Sequence, residues 1–96
     1  MYILVAYDVE TSSPSGCKRL RKVAKECLNY GQRVQNSVFE CLVDGAQYAT
    51  LKHNLSSIID SKADSIRIYF LGKNWETKIE TIGKTSSFSF SSEIII

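Results

Sequence analysis

Ninety-six residues, 44% hydrophobic and 23% charged, suffice for one domain with a modest core and exclude an intrinsically disordered chain. No apolar run approaches the ~20 residues a membrane-spanning helix needs, and the first residues show no secretory-leader pattern, so neither a span nor a leader is expected. The net charge is only +2, but residues 17–33 carry Lys18, Arg19, Arg21, Lys22, Lys25 and Arg33 against Glu26 alone, a local +5 that leaves −3 for the rest; such a patch suits a polyanion partner, the alternative being a solvated helix face.

The chain opens with a strand over residues 2–8. Tyr2, Leu4 and Ala6 lie on one parity and Ile3, Val5 and Tyr7 on the other. A strand with one wet face alternates, so both faces are expected to be covered: one by helices, the other by a second subunit. The strand runs into Asp8. The loop 9–16 follows, with Ser13 as N-cap and Pro14 in the first turn of a helix predicted to reach Tyr30 and stop at Gly31. Leu20, Val23, Ala24, Cys27 and Leu28 form its apolar stripe, leaving Lys18, Arg19, Arg21, Lys22 and Lys25 largely off it.

Residues 33–43 read as a second strand whose first half is polar, either a bulged edge or a binding surface. Asp44 and Gln47 stand at capping-box spacing ahead of a second helix reaching about Ile59, with Tyr48, Leu51, Leu55, Ile58 and Ile59 on its apolar side. His53 falls off that stripe, with no ligand-spaced partner, and reads as an exposed helix residue. Residues 60–64 are a turn. A strand is predicted over 65–71, with Ile66, Ile68 and Phe70 on one face, and another over 75–82. Residues 85–92 form a Ser/Thr-rich connector, and Ile94, Ile95 and Ile96 suit a strand added to a sheet edge, a partner's included. Cys17, Cys27 and Cys41 lack CxxC spacing and read as free, buried thiols in a reducing compartment, the cytoplasm.

If residues 33–43 split near Asn36, the elements become the βαββαβ of a ferredoxin-like α+β sandwich, helices on one sheet face, over residues 1–83, with residues 84–96 as connector and extra C-terminal strand.

The stretches 4–8 (LVAYD), 18–25 (KRLRKVAK), 30–41 (YGQRVQNSVFEC) and 64–69 (DSIRIY) together resemble the small family-two CRISPR-associated (Cas) proteins, spacer-acquisition subunits that act beside the integrase. The resemblance covers nearly the whole chain. It implies a ferredoxin-like homodimer whose C-terminal strand crosses to the partner, and a metal-dependent endonuclease acting on single-stranded RNA or duplex DNA. It also implies a bridge between integrase dimers on incoming DNA. By position it makes Asp8 the metal ligand and catalytic aspartate and Tyr7 its flanking aromatic. Arg19, Arg21, Arg33 and Phe39 become nucleic-acid contacts, beside Lys18 and Lys22.

Phosphodiester hydrolysis needs an activated water and charge neutralisation at the phosphoryl oxygens, which Mg²⁺ or another divalent cation supplies with carboxylate and water ligands. Asp8 offers one carboxylate, and two if a twofold axis brings both strand ends together. Glu10 is close in sequence but sits in the loop. The alternative is a non-catalytic DNA-binding scaffold in which Asp8 orders the first loop while the arginines track phosphates. No glycine-rich loop favours a small-molecule sensor.

Overall fold

In the computed structural model, residues 1–74 are described together with 78, 80 and 82. Six elements follow in order: β1 (Tyr2–Asp8), α1 (Pro14–Leu28), β2 (Gly31–Gln35), β3 (Val38–Leu42), α2 (Gly45–Ile58) and β4 (Ser65–Phe70). The four strands form one sheet in the order β2-β3-β1-β4, antiparallel at every pairing. The segment expected to split does so: Asn36 and Ser37 form a turn between β2 and β3, and a register shift between Arg33 and Gln35 marks a bulge in β2. Of the strand predicted over 75–82, positions 78, 80 and 82 are described and none is in a strand, position 78 being helical; its other residues and the tail 84–96 lie outside the described residues.

The local chemistry explains the ends of the elements. The Ser13 hydroxyl accepts from the Gly16 N–H at 3.2 Å with Pro14 in the first turn, as its residue type suggests. The capping box of α2 is reciprocal: the Asp44 carboxylate accepts from the Gln47 N–H at 2.7 Å, and the Gln47 amide oxygen accepts from the Asp44 N–H at 2.9 Å.

The end of α1 differs from expectation. The helix stops at Leu28 with Asn29 as C-cap, and the Tyr30 carbonyl already accepts from the Leu42 N–H of the sheet at 3.0 Å. Gly31 is therefore a strand residue and not a helix terminator. It is opposite Cys41, and a Cβ there would sit 1.7 Å from the Glu40 carbonyl oxygen, so glycine answers a close backbone approach. Leu28, expected on the apolar stripe, is half-exposed at the last position of the helix.

Both helices pack on one face of the sheet. Ile3, Val5, Tyr7, Phe39, Cys41 and Val43 meet Leu20, Val23, Ala24, Cys27, Leu51 and Leu55 in one cluster. Each large side chain fully buried there contributes about 1.5–3 kcal/mol relative to exposure. Cys27 and Cys41 are buried free thiols, Cys17 is a half-buried one, and His53 is exposed. The opposite sheet face carries Tyr2, which is 2% exposed, with Leu4, Ala6, Val38, Leu42 and Tyr69, half-buried or exposed; none of these joins the helix-side cluster. No helix among the described residues is long and apolar enough to cross a membrane.

Candidate functional site

β1 delivers two expected site residues to the same sheet end with opposite fates. Alternation turns Tyr7 into the helical layer, where it is 2% exposed, and leaves Asp8 on the surface. That end is held on both sides. The Tyr7 N–H donates to the Ser37 carbonyl of the β2–β3 turn at 2.9 Å, and Asp8 pairs across the ladder with Ser65, the first residue of β4.

The Tyr7 hydroxyl donates to the carboxylate of Asp64 at 2.6 Å. Arg19 approaches the same carboxylate side-on, with Nε 2.7 Å from Oδ2 and Nη2 3.2 Å from Oδ1, and the Asp60 N–H donates to Oδ2 at 3.1 Å. The Asp64 side chain is fully buried, whereas that of Arg19 remains 18% exposed. The Arg19 guanidinium holds the Asp64 carboxyl down at about 2, with the Tyr7 hydroxyl and Asp60 N–H adding to its effect against the cost of burial. Burial, then the hydrogen bond to Asp64, pushes the Tyr7 phenol up to about 12, so at neutral pH the cluster is carboxylate, guanidinium and neutral phenol.

The sequence-predicted residues thus separate. Tyr7 and Arg19 come together, but on Asp64, a residue at the end of a turn that opens the DSIRIY stretch and is given no site role by the sequence. The one signal that could find it is its place just before a strand, opposite the Tyr-Asp end of β1. Lys18, Arg21 and Lys22 are exposed on α1 with Lys25, at the i, i+3, i+4 and i+7 spacing that shares a face. Arg33 is exposed on β2, its guanidinium carbon 5.3 Å from the centroid of the Phe39 ring. Phe39 itself is 0% exposed, which corrects its expected role: a ring enclosed in the core offers no face on which a base can stack.

The loop after β1 is tightly built. The Glu10 carboxylate accepts from the Ser12 N–H at 2.7 Å and from the Ser12 hydroxyl, which lowers its pKa. A Cβ on Gly16 would sit 1.6 Å from the Glu10 carbonyl oxygen, so loop and helix start touch through backbone. Glu10 is therefore occupied with its own loop. Among the described residues no three His, Cys, Asp or Glu side chains come together in a metal-binding group. Asp8 alone would fit Mg²⁺ only with waters or a second copy completing the shell.

Comparison with known proteins places this geometry. The family model described as CRISPR associated protein Cas2 matches residues 1–79. A CRISPR-associated endonuclease Cas2 of Halalkalibacterium halodurans is 58% identical over 95 residues, 99% of each chain. A CRISPR-associated endoribonuclease Cas2 of Nitratidesulfovibrio vulgaris is 48% identical over 96 residues, covering 100% of this chain and 94% of that one. The crystal structure of Streptococcus pyogenes Cas2 at pH 6.5 superimposes with a TM-score of 0.82 at 61% identity, over 86% of this chain and 100% of that one.

Proposed function

Since the chain belongs to the Cas2 family of CRISPR-associated proteins, we propose that it is a CRISPR spacer-acquisition subunit that binds duplex DNA, bridges integrase dimers and hydrolyses phosphodiesters through Asp8. The observation that carries this reading is the division of labour at the end of β1: Asp8 is exposed and unburdened by the cluster that locks its neighbour Tyr7. The relatives named endonuclease and endoribonuclease support a nuclease in general, on duplex DNA or single-stranded RNA.

The strand order β2-β3-β1-β4 with both helices on one face supports the ferredoxin-like sandwich. The second sheet face, with Leu4, Ala6, Val38, Leu42 and Tyr69, supports a homodimer built face to face, to which residues 84–96 add a strand. With a twofold axis near the end of β1, two Asp8 carboxylates would hold one divalent ion, Mg²⁺ by the hardness of its ligands. The ion supplies charge neutralisation and an acidified water. The chain supplies the rest. Asp8 holds the cation, Lys18, Arg21, Lys22 and Arg33 hold the phosphate backbone, and Arg19 and Tyr7 act on the site through Asp64. The free thiols and the DNA partner fit the cytoplasm.

A second reading, a scaffold without cleavage, is favoured by the lack, among the described residues, of any group of three His, Cys, Asp or Glu side chains that could hold a metal. Cleavage of duplex DNA and single-stranded RNA by wild type and Asp8→Ala, with Mg²⁺ and with chelator, separates the two. Cutting by wild type with metal alone establishes the nuclease. Binding by both proteins with cutting by neither establishes the scaffold.

A further inference from the structure

We propose that Asp64 is the positioning residue for Asp8, clamping the last rung of the β1–β4 ladder from beneath. The inference rests on the Asp8 reading above and deepens it. Asp8 follows Tyr7 in the chain, and its ladder partner Ser65 follows Asp64. The hydrogen bond from the Tyr7 hydroxyl to Asp64, 2.6 Å long, therefore joins the two residues immediately preceding that rung, one on each strand. The bidentate contact of Arg19 ties the same carboxylate to α1, and the Asp60 N–H ties it to the α2–β4 connection.

Asp64 accepts four hydrogen bonds, and no buried side-chain nitrogen or oxygen among the described residues lacks a partner. With 0% side-chain exposure, Asp64 touches neither nucleic acid nor metal and acts through Asp8. A buried ion pair is a poor source of net stability compared with apolar packing. The rest of the core is almost wholly apolar, and the one ion pair among the described residues sits beneath the candidate site. That location fits a device that fixes direction. An asparagine at position 64 keeps the shape but puts an NH₂ where a donor already points, at Arg19 or at Tyr7, so the clamp needs the charge.

The test uses the full chain and the variants Asp64→Asn and Tyr7→Phe, the second removing a single hydroxyl so that a folded protein is available in either case. Two properties are read at a temperature where circular dichroism shows both variants folded. One is the backbone order parameter of Asp8 by ¹⁵N relaxation, with Val5 as reference. The other is kcat and KM for duplex DNA cleavage with Mg²⁺. The expected result is a fall at Asp8 from about 0.85 to below about 0.6 in Asp64→Asn, with Val5 unchanged. A kcat lower by about 10–100-fold should accompany it, as when the groups that orient a metal ligand are removed, with KM within about twofold. Tyr7→Phe should move both properties in the same direction by less. A merely structural Asp64 would lower thermal stability and leave the folded-state order of Asp8 and kcat alone; that result, or a change in one property without the other, overturns the proposal. If wild type does not cleave, the Asp8 nuclease reading fails by itself, and the order parameter decides whether Asp64 positions Asp8.

Discussion

Replacing Asp64 by alanine should cost the fold about 3 kcal/mol. The substitution removes a fully buried carboxylate with four hydrogen-bond donors directed at it. Stripping one member from a buried ion pair costs about 3–5 kcal/mol when the remaining charge stays buried. Here Arg19 keeps 18% of its side chain accessible and can turn toward water, which moves its share to the low end. The Tyr7 hydroxyl cannot do the same, being part of a residue 2% exposed, and an unsatisfied buried hydroxyl costs about 1–3 kcal/mol by itself. For a chain of this length ~3 kcal/mol lowers the melting temperature by about 12–24 °C. The assay is urea unfolding at fixed protein concentration, run as a double-mutant cycle with Tyr7→Phe. The Tyr7–Asp64 coupling should be about 1.5–3 kcal/mol, the range for a hydrogen bond to a charged group. A loss below about 1 kcal/mol for Asp64→Ala, or a coupling near zero, would refute the cluster as described.

The same cluster sets the pH limits. Asp64 titrates at about 2 in the folded chain, below its unfolded value, so its contribution is full above about pH 4 and drains away as pH falls toward 2; Tyr7 is raised to about 12, so its contribution is full below about pH 10 and is lost as pH rises toward 12. Urea midpoints followed across both windows should show these slopes, and Asp64→Ala should weaken the acid one. Gly31→Ala should destabilise by about 1–3 kcal/mol or more, since its Cβ would meet the Glu40 carbonyl at 1.7 Å, whereas Gly45→Ala, with nothing within 4 Å, should stabilise by about 0.4–1 kcal/mol in the same unfolding assay. Arg21→Ala with Lys22→Ala should flatten the dependence of log duplex affinity on log salt by up to ~0.9 for each phosphate the variant no longer neutralises, measured by fluorescence anisotropy; an unchanged slope would take the exposed face of α1 out of the nucleic-acid interface.

What the sequence reveals and what it hides follow from the range of the forces involved. The caps at Ser13 and Asp44 are legible because each acts within three residues. The turn at Asn36 and Ser37 is legible only conditionally, since the polar run QNS fits both a bulge and a break. The end of α1 is not, because Gly31 looks like a helix terminator, while its real constraint is the approach of Glu40 from a different strand. Phe39 misleads for a related reason: the resemblance makes it a nucleic-acid contact by position, and only the packed core shows that the ring is enclosed. Asp64 is hidden altogether as a site residue. Its partners Tyr7 and Arg19 lie 57 and 45 positions away, a pairing that sheet order creates and no local pattern announces.

The central claim is that the exposed Asp8 of two copies forms one metal-dependent site. Mixing wild type with Asp8→Ala at constant total protein, allowing subunits to exchange, and following Mg²⁺-dependent cleavage tests it directly. If each site needs both carboxylates, an equal mixture should retain about a quarter of the wild-type rate, since only that share of pairs carries two intact copies. About one half, the value for copies that act singly, would contradict the shared site, and a mixture as active as wild type would remove Asp8 from the chemistry.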